Sequence, residues 1–391
     1  MAWTNTDHSY GRIARWLHWA TAGLILASVG LGLWAESLPF GSSGELARKA
    51  QVFSLHKTFG VTAFFLGLLR IGWALVQRHP VAVSHHRGEV WLAALMHGLL
   101  YGALVLVPLT GWVHHAATTG FAPILWPFGQ GLPFVPKSEA VAEIAGTAHW
   151  LFGKVLIAAV LLHVAGALKH ALIDRDIVLA RMVRGVAGGA GVAPARGAAV
   201  AAVAIWAAVV VGALVLVPAA PERSAPVSVA PVGGAWVVET GSLGIVVRQM
   251  GAAVEGRFST WSADIRFDPD AATGNSVSVT IDPASLTLGS VSAQATGPEF
   301  LNAAAYPSAQ FAADIRRDGA GWVADGTLSL AGAQAAVQLP FTLDLAGDVA
   351  RMAGTVALDR RAFGIGTRYP DEATVGFAVT VRVGLTARRQ P

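Results

Sequence analysis

Five runs of this sequence, at about residues 13–35, 52–76, 90–112, 146–170 and 198–218, are apolar over the length needed to cross a hydrocarbon core of about 30 Å. Backbone in lipid has to satisfy its own hydrogen bonds, so each run predicts a transmembrane helix. Residues 118–138, which include FAPILWPFGQGLPFVP, concentrate Gly, Pro and aromatics and predict an interfacial loop rather than a further span. With 54% hydrophobic and 13% charged residues, the chain lies far from a soluble average, which agrees with five spans.

The basic residues set an orientation. Arg12, Arg15, Arg70, Arg78, Arg87, Lys169, Arg175, Arg181, Arg184 and Arg196 fall on one side of the predicted spans, against Arg48, Lys49 and Lys137 on the other. By the positive-inside rule the N-terminus is cytoplasmic, and five spans carry everything after residue 218 to the periplasmic side of a bacterial inner membrane. The first run, with Arg12 and Arg15 ahead of it, reads as an uncleaved signal anchor. The net charge of +4 is scattered around the spans, so it does not argue for nucleic-acid binding.

His18, His56, His149 and His163 each lie inside an apolar run, the last two in the same one. An imidazole in hydrocarbon is costly unless something binds it, and haem iron takes a neutral ring nitrogen on each face. Fourteen residues separate His149 from His163 (163 − 149), nearly four helical turns, so both rings leave one face about 21 Å apart. The predicted topology pairs His18 with His163 at the cytoplasmic level and His56 with His149 at the periplasmic level. The expectation is two bis-histidine b-type haems. Zinc fits poorly, because it wants three or four clustered ligands. The chain has no cysteine, which excludes thiolate-held clusters, c-type haem and disulfides.

Other polar residues in or near the spans are secondary candidates. Arg70 either snorkels to water or pairs with a propionate of the cytoplasmic-level haem. Lys154, beside His149, is a candidate for a propionate or a substrate anion. His97 is a candidate contact for a quinone or a propionate, and His170 is read as an interfacial residue near Lys169 and Asp174. Gly60, Gly98, Gly102, Gly111, Gly153 and Gly166 are expected to let planar groups approach helix backbones.

PAAPERSAPVSVAPVGG, around 218–234, reads as a Pro/Ala/Ser-rich tether. From about Ala235 the pattern changes to strand alternation, as in SVSVTIDPASLTL and VGFAVTVRVGL, with turns at Asp268-Pro269-Asp270 and Asp318-Gly319. Such short, evenly spaced strands predict one antiparallel barrel or sandwich, and a barrel of this size is able to enclose an apolar ligand. It carries no catalytic constellation, since no histidine follows His170.

The stretches RIARWLHWATAGLILASVGLGLW, LHKTFGVTAFFLGLLRIGWALVQRHP, MHGLLYGALVLVPLTGW and AHWLFGKVLIAAVLLHVAGALKHALIDRDIVLARM resemble, in order, the four helices of the bacterial cytochrome b561 family. VEGRFSTWSADIRFDPD, EFLNAAAYPSAQF, DGTLSLAGAQAAVQLPFTLDL and LDRRAFGIGT resemble a YceI-like domain, a lipocalin-like antiparallel barrel that binds a polyisoprenoid. Two departures stand out. Gln249 occupies the place of a common histidine, and SAQATGP replaces a charged pattern ahead of EFL.

The resemblances, together with the fifth apolar run and the Pro/Ala/Ser-rich stretch, imply a multi-domain chain. Residues 1–185 form a four-helix di-haem membrane domain, 198–218 a fifth transmembrane helix, 219–234 a linker and 235–391 a periplasmic barrel. It implies haem ligation by His18, His56, His149 and His163. It also implies electron exchange with ubiquinone or another isoprenoid quinone, a periplasmic donor for which superoxide is a candidate, and an isoprenoid lipid or quinone tail in the barrel. Two rivals stay open: a lipid carrier or sensor with structural haems, and a cytochrome subunit fed by a soluble redox enzyme. If the orientation is right, alkaline phosphatase fused after Pro391 will be active in cells and the same enzyme fused after Arg78 inactive. The reverse pattern refutes it.

Overall fold

The computed structural model describes residues 2–83, 86–118, 122–189, 197–216, 235–271, 273–289, 291–319 and 321–389. The expected tether at 219–234, the end of the fifth predicted span and Arg196 lie outside the described residues. The chain divides into two compact units, one helical and one β.

The helical unit comprises α1 (Arg12–Ser37), α2 (Ser43–Val76), α3 (Arg87–Ala117), α4 (Glu139–Lys169), α5 (Val178–Arg184) and α6 (Ala198–Leu216), with a π-turn at His170–Asp174. Among the described residues, five helices are long and apolar enough to cross a membrane. Their cores match the predicted runs, but α2 begins nine residues before the predicted 52, and α4 seven before 146. Those additions bring charged residues, Glu45, Arg48 and Lys49 in α2 and Glu139 and Glu143 in α4, and α4 follows Ser138, whose hydroxyl caps the helix by accepting from the Val141 amide. Leu38, extended ahead of Pro39, ends α1.

Near the N-terminal segment the predicted basic residues act as struts. Arg181 is buried and donates to the carbonyls of Val81 and His8, and Arg15 donates to Val183. Together they tie residues 8–15, the α2–α3 connection and α5. Helix α6 packs on α3 and α4 through small residues. A Cβ on Gly98 would lie 2.8 Å from Ala202, and one on Gly102 would lie 2.2 Å from the Trp206 ring, which also meets Phe152 edge-on at 5.5 Å. Gly98 and Gly102, expected to admit planar groups, are therefore the seat of α6.

The β unit contains β1 (Ala235–Gln249), β2 (Ala252–Phe258), β3 (Trp261–Arg266), β4 (Ser276–Ile281), β5 (Leu286–Thr287), a short α7 (Ser292–Thr296), β6 (Ala309–Asp318), β7 (Gly321–Leu330), β8 (Ala333–Ala346), β9 (Val349–Asp359) and β10 (Val375–Arg389). Eight strands close in the order β10-β9-β8-β7-β6-β4-β3-β1, with β1 returning to β10 from Trp236↔Arg389 to Gln249↔Val375. The result is an antiparallel barrel, and β2 and β5 extend it beside β1. Closure leaves β1 and β10 without free edges. Tight turns at Met250-Gly251 and Ala331-Gly332, all at positive φ, are of the two-residue kind that matches strand twist. Strict alternation places Ala309, Phe311 and Ala313 of β6 and Val337, Leu339 and Phe341 of β8 inside.

Among the described residues, one buried charge lies in this interior. Arg360, 5% exposed, opens a 3₁₀ turn after β9 and donates to the carbonyls of Ile365, Gly366, Tyr369, Val375 and Gly376. It binds the 360–376 loop to the start of β10. Arg360→Met leaves those carbonyls without their donor and is expected to destabilise the barrel by about 3 kcal/mol or more. Calorimetry of the full chain will show this as a lowered barrel transition, while Arg316→Met, which removes an exposed pair with Asp325, will shift it far less.

Candidate functional site

The four histidines singled out in the sequence come together in two pairs. The ring centres of His18 (α1) and His163 (α4) are 6.2 Å apart, and those of His56 (α2) and His149 (α4) are 6.1 Å apart. Two metal–nitrogen bonds of about 2 Å, with roughly 1.1 Å from each nitrogen to its ring centre, give about 6.2 Å for an iron held between imidazoles. Both pairs have the spacing of a bis-histidine haem. His97 also approaches His163, but at 5.2 Å the ring centres are closer than the about 6.2 Å of two rings on opposite sides of one iron.

A local rule positions the second pair. A helical side chain at position i+4 lies over the turn before it, so a glycine there leaves the carbonyl at i uncovered. Nδ1 of His56 lies 2.8 Å from the Ser28 carbonyl, four residues before Gly32, and a Cβ on Gly32 would sit 2.9 Å from the ring. Nδ1 of His149 lies 2.8 Å from the Val107 carbonyl, four residues before Gly111, where a Cβ would be 2.8 Å from the ring. With Nδ1 donating to a carbonyl, the neutral ring presents Nε2 as its ligand nitrogen. His114 repeats the arrangement on Ala142 and Gly146. Gly111 was among the glycines singled out; Gly32 and Gly146 were not, and the signal was a glycine facing a histidine across helices rather than along one.

The first pair is wired differently. Nη2 of Arg70 is 3.1 Å from Nδ1 of His18, and its guanidinium lies over the Tyr101 ring at 5.6 Å. Arg70 thus stands beside the pair. His170 is engaged elsewhere, 2.6 Å from Asp176 and 3.1 Å from Asp174, while Lys169 binds Glu89 and Asp174 at 2.7 Å each. This ion network occupies the π-turn and leaves His163 as the histidine of α4 that faces His18.

A cavity of about 380 Å³ surrounds His56 and His149, lined also by Gly32, Lys57, Gly111, Trp112, His115 and Lys154. Lys57 is buried and was not singled out in the sequence. Lys154 lies over the Trp150 ring at 5.4 Å. Part of the 122–138 loop folds against this level, where the Trp112 indole donates to the Gln130 carbonyl and stacks edge-on with Trp126 at 5.1 Å.

The barrel holds a second cavity, of about 290 Å³. Among the described residues its lining is apolar except for Gln249, Gln294 and Arg360. Gln249 is 5% exposed, and its side-chain oxygen has no hydrogen-bond partner.

Residues 9–185 match the sequence model of a family described as prokaryotic cytochrome b561, and residues 236–387 that of the YceI-like domain. The chain is similar to cytochrome b561 homolog 2 of Escherichia coli (strain K12), 30% identical over 186 residues that cover 47% of this chain and 95% of the relative. It is also similar to cytochrome b562 of Cereibacter sphaeroides, 29% identical over 178 residues that cover 46% and 97%. Among solved structures, BcnA of Burkholderia cenocepacia is 30% identical over 37% of this chain and 95% of that one, with a TM-score of 0.36.

If the glycine notches seat the second pair, Gly32→Leu and Gly111→Leu will each reduce the haem retained per chain by about half, since one of two pairs is disturbed. Gly30→Leu, whose added carbon meets nothing within 4 Å, will leave it unchanged. Pyridine haemochrome quantification checks this.

Proposed function

The chain belongs to the prokaryotic cytochrome b561 family and carries a YceI-like domain, and on that ground we propose that it moves single electrons between a periplasmic donor and the quinone of the inner membrane. The family implies b-type haem. The observation that carries the reading is the pair of 6.2 and 6.1 Å histidine separations at two levels of one helix. His18 with His163, and His56 with His149, would each hold one haem. When bound, that group supplies reversible one-electron exchange.

The protein's own side chains do the rest. The Ser28 and Val107 carbonyls orient the His56 and His149 rings, and the apolar helices keep water from them. Arg70 supplies positive charge beside His18. At the other level Lys57, Lys154 and Glu36 line the cavity beside His115, two lysines against one carboxylate, a balance suited to drawing in a small anionic donor such as superoxide. Ubiquinone or another isoprenoid quinone is the membrane partner. In the proposed arrangement, 1–185 is the cytochrome, 198–218 the fifth span, 219–234 the linker and 235–391 a periplasmic barrel. The apolar barrel cavity supports binding of an isoprenoid lipid or quinone tail there.

Full-length protein purified in detergent should contain two b haems per chain, reduced anaerobically by a quinol and reoxidised by added quinone. His149→Ala should lose one haem and His163→Ala the other. Folded protein without haem, or haem that no quinol reduces, overturns the reading.

A further inference from the structure

The geometry points to an uncharged isoprenoid bearing a hydroxyl group as the barrel's ligand, seated with its head at Gln249, and to exclusion of isoprenoid phosphates. This rests on the isoprenoid reading above and specifies the head group.

The polar side chains of the cavity gather at one pole. Gln249 ends β1 and pairs with Val375. Arg360 holds the Val375 and Gly376 carbonyls, and Gln294 of α7 donates to the hydroxyl of Tyr369, whose carbonyl Arg360 also holds. The opposite pole is closed by Trp236, Phe267 and Trp322, with the Trp236 indole spent on the Phe267 carbonyl. A ligand with one polar end therefore has one orientation open to it, head at Gln249 and tail toward the tryptophans.

The free valence at that pole is an acceptor. The Gln249 side-chain oxygen is buried, has no hydrogen-bond partner and belongs to the lining of an otherwise largely apolar cavity. Buried acceptors in folded proteins are nearly always satisfied, and a ligand hydroxyl donating to this oxygen would do so. The charge of Arg360 by itself would suit an anion, but a guanidinium has five N–H donors, and all five are spent on backbone carbonyls. A phosphate head would bring acceptors to a pole with no guanidinium N–H left to give, and would lose its hydration there. A hydroxyl meets the opposite situation. A free prenol and a prenylated hydroquinone both present that group.

Native mass spectrometry of the full chain in detergent, with ligands of matched tail in competition, tests the assignment. The probes are farnesol, a short-chain ubiquinol, farnesyl methyl ether and farnesyl phosphate. At least one of the two hydroxyl-bearing probes should bind about tenfold more tightly than the ether and the phosphate. The tighter of the two identifies prenol or quinol as the source. In Gln249→Leu that preference should vanish, while ether binding stays within about twofold of the unsubstituted chain, showing the tail seat intact. Equal binding of ether and hydroxyl probes, tighter binding of the phosphate, or a preference that survives Gln249→Leu overturns the head-group assignment. Failure of all four probes to bind overturns the isoprenoid reading beneath it.

Discussion

The bond from an imidazole Nδ1 to a helix carbonyl that a glycine has uncovered governs the helical half of this molecule. An imidazole among apolar helices carries two nitrogens that water does not reach, and each has to be engaged. Ser28 and Val107 take one nitrogen each from His56 and His149, which leaves Nε2 as the ligand nitrogen of each ring, with the ring centres 6.1 Å apart, a spacing suited to iron. Gly32 and Gly111 permit this, because any larger residue would collide with the ring. The pair at the other level lacks that wiring and has Arg70 beside it instead, so the two levels of α4 present different electrostatic surroundings to the same kind of ligand.

The barrel treats buried polarity in the opposite way. Its one interior guanidinium is saturated by its own backbone, which converts a charge into a clasp on the 360–376 loop. Among the described residues of the barrel, the buried side-chain atom left unsatisfied is the Gln249 oxygen, which borders an apolar space. A cavity built like this discriminates by the hydrogen-bonding sense of a head group more than by its charge, because the charge is already occupied.

Much of the site was legible in the sequence because polar residues in apolar runs stand out against their surroundings. His18, His56, His149 and His163 and their pairing followed from depth and a fourteen-residue spacing, and the structure brings the same four together. The glycines were harder to read. Gly98 and Gly102 looked like approaches for a planar group and instead receive Ala202 and Trp206 of α6, while Gly32 went unnoticed. Lys57 was hidden by its neighbour: beside His56 it reads as one more helix residue, and only the packing shows that it is buried and lines the same cavity.

Apolar length, the fourteen-residue spacing and the change from helical runs to strand alternation are properties of neighbouring residues along the chain. The sequence by itself therefore determined five spans, a following β barrel or sandwich and the four histidines. Which glycine faces which ring, the closure of β1 on β10 and the complete engagement of Arg360 were decided only in the tertiary structure. Those contacts join residues far apart in sequence, such as Gly111 with His149 and Trp236 with Arg389. They depend on the rotation and crossing of whole elements, which side-chain packing sets and which no local period encodes.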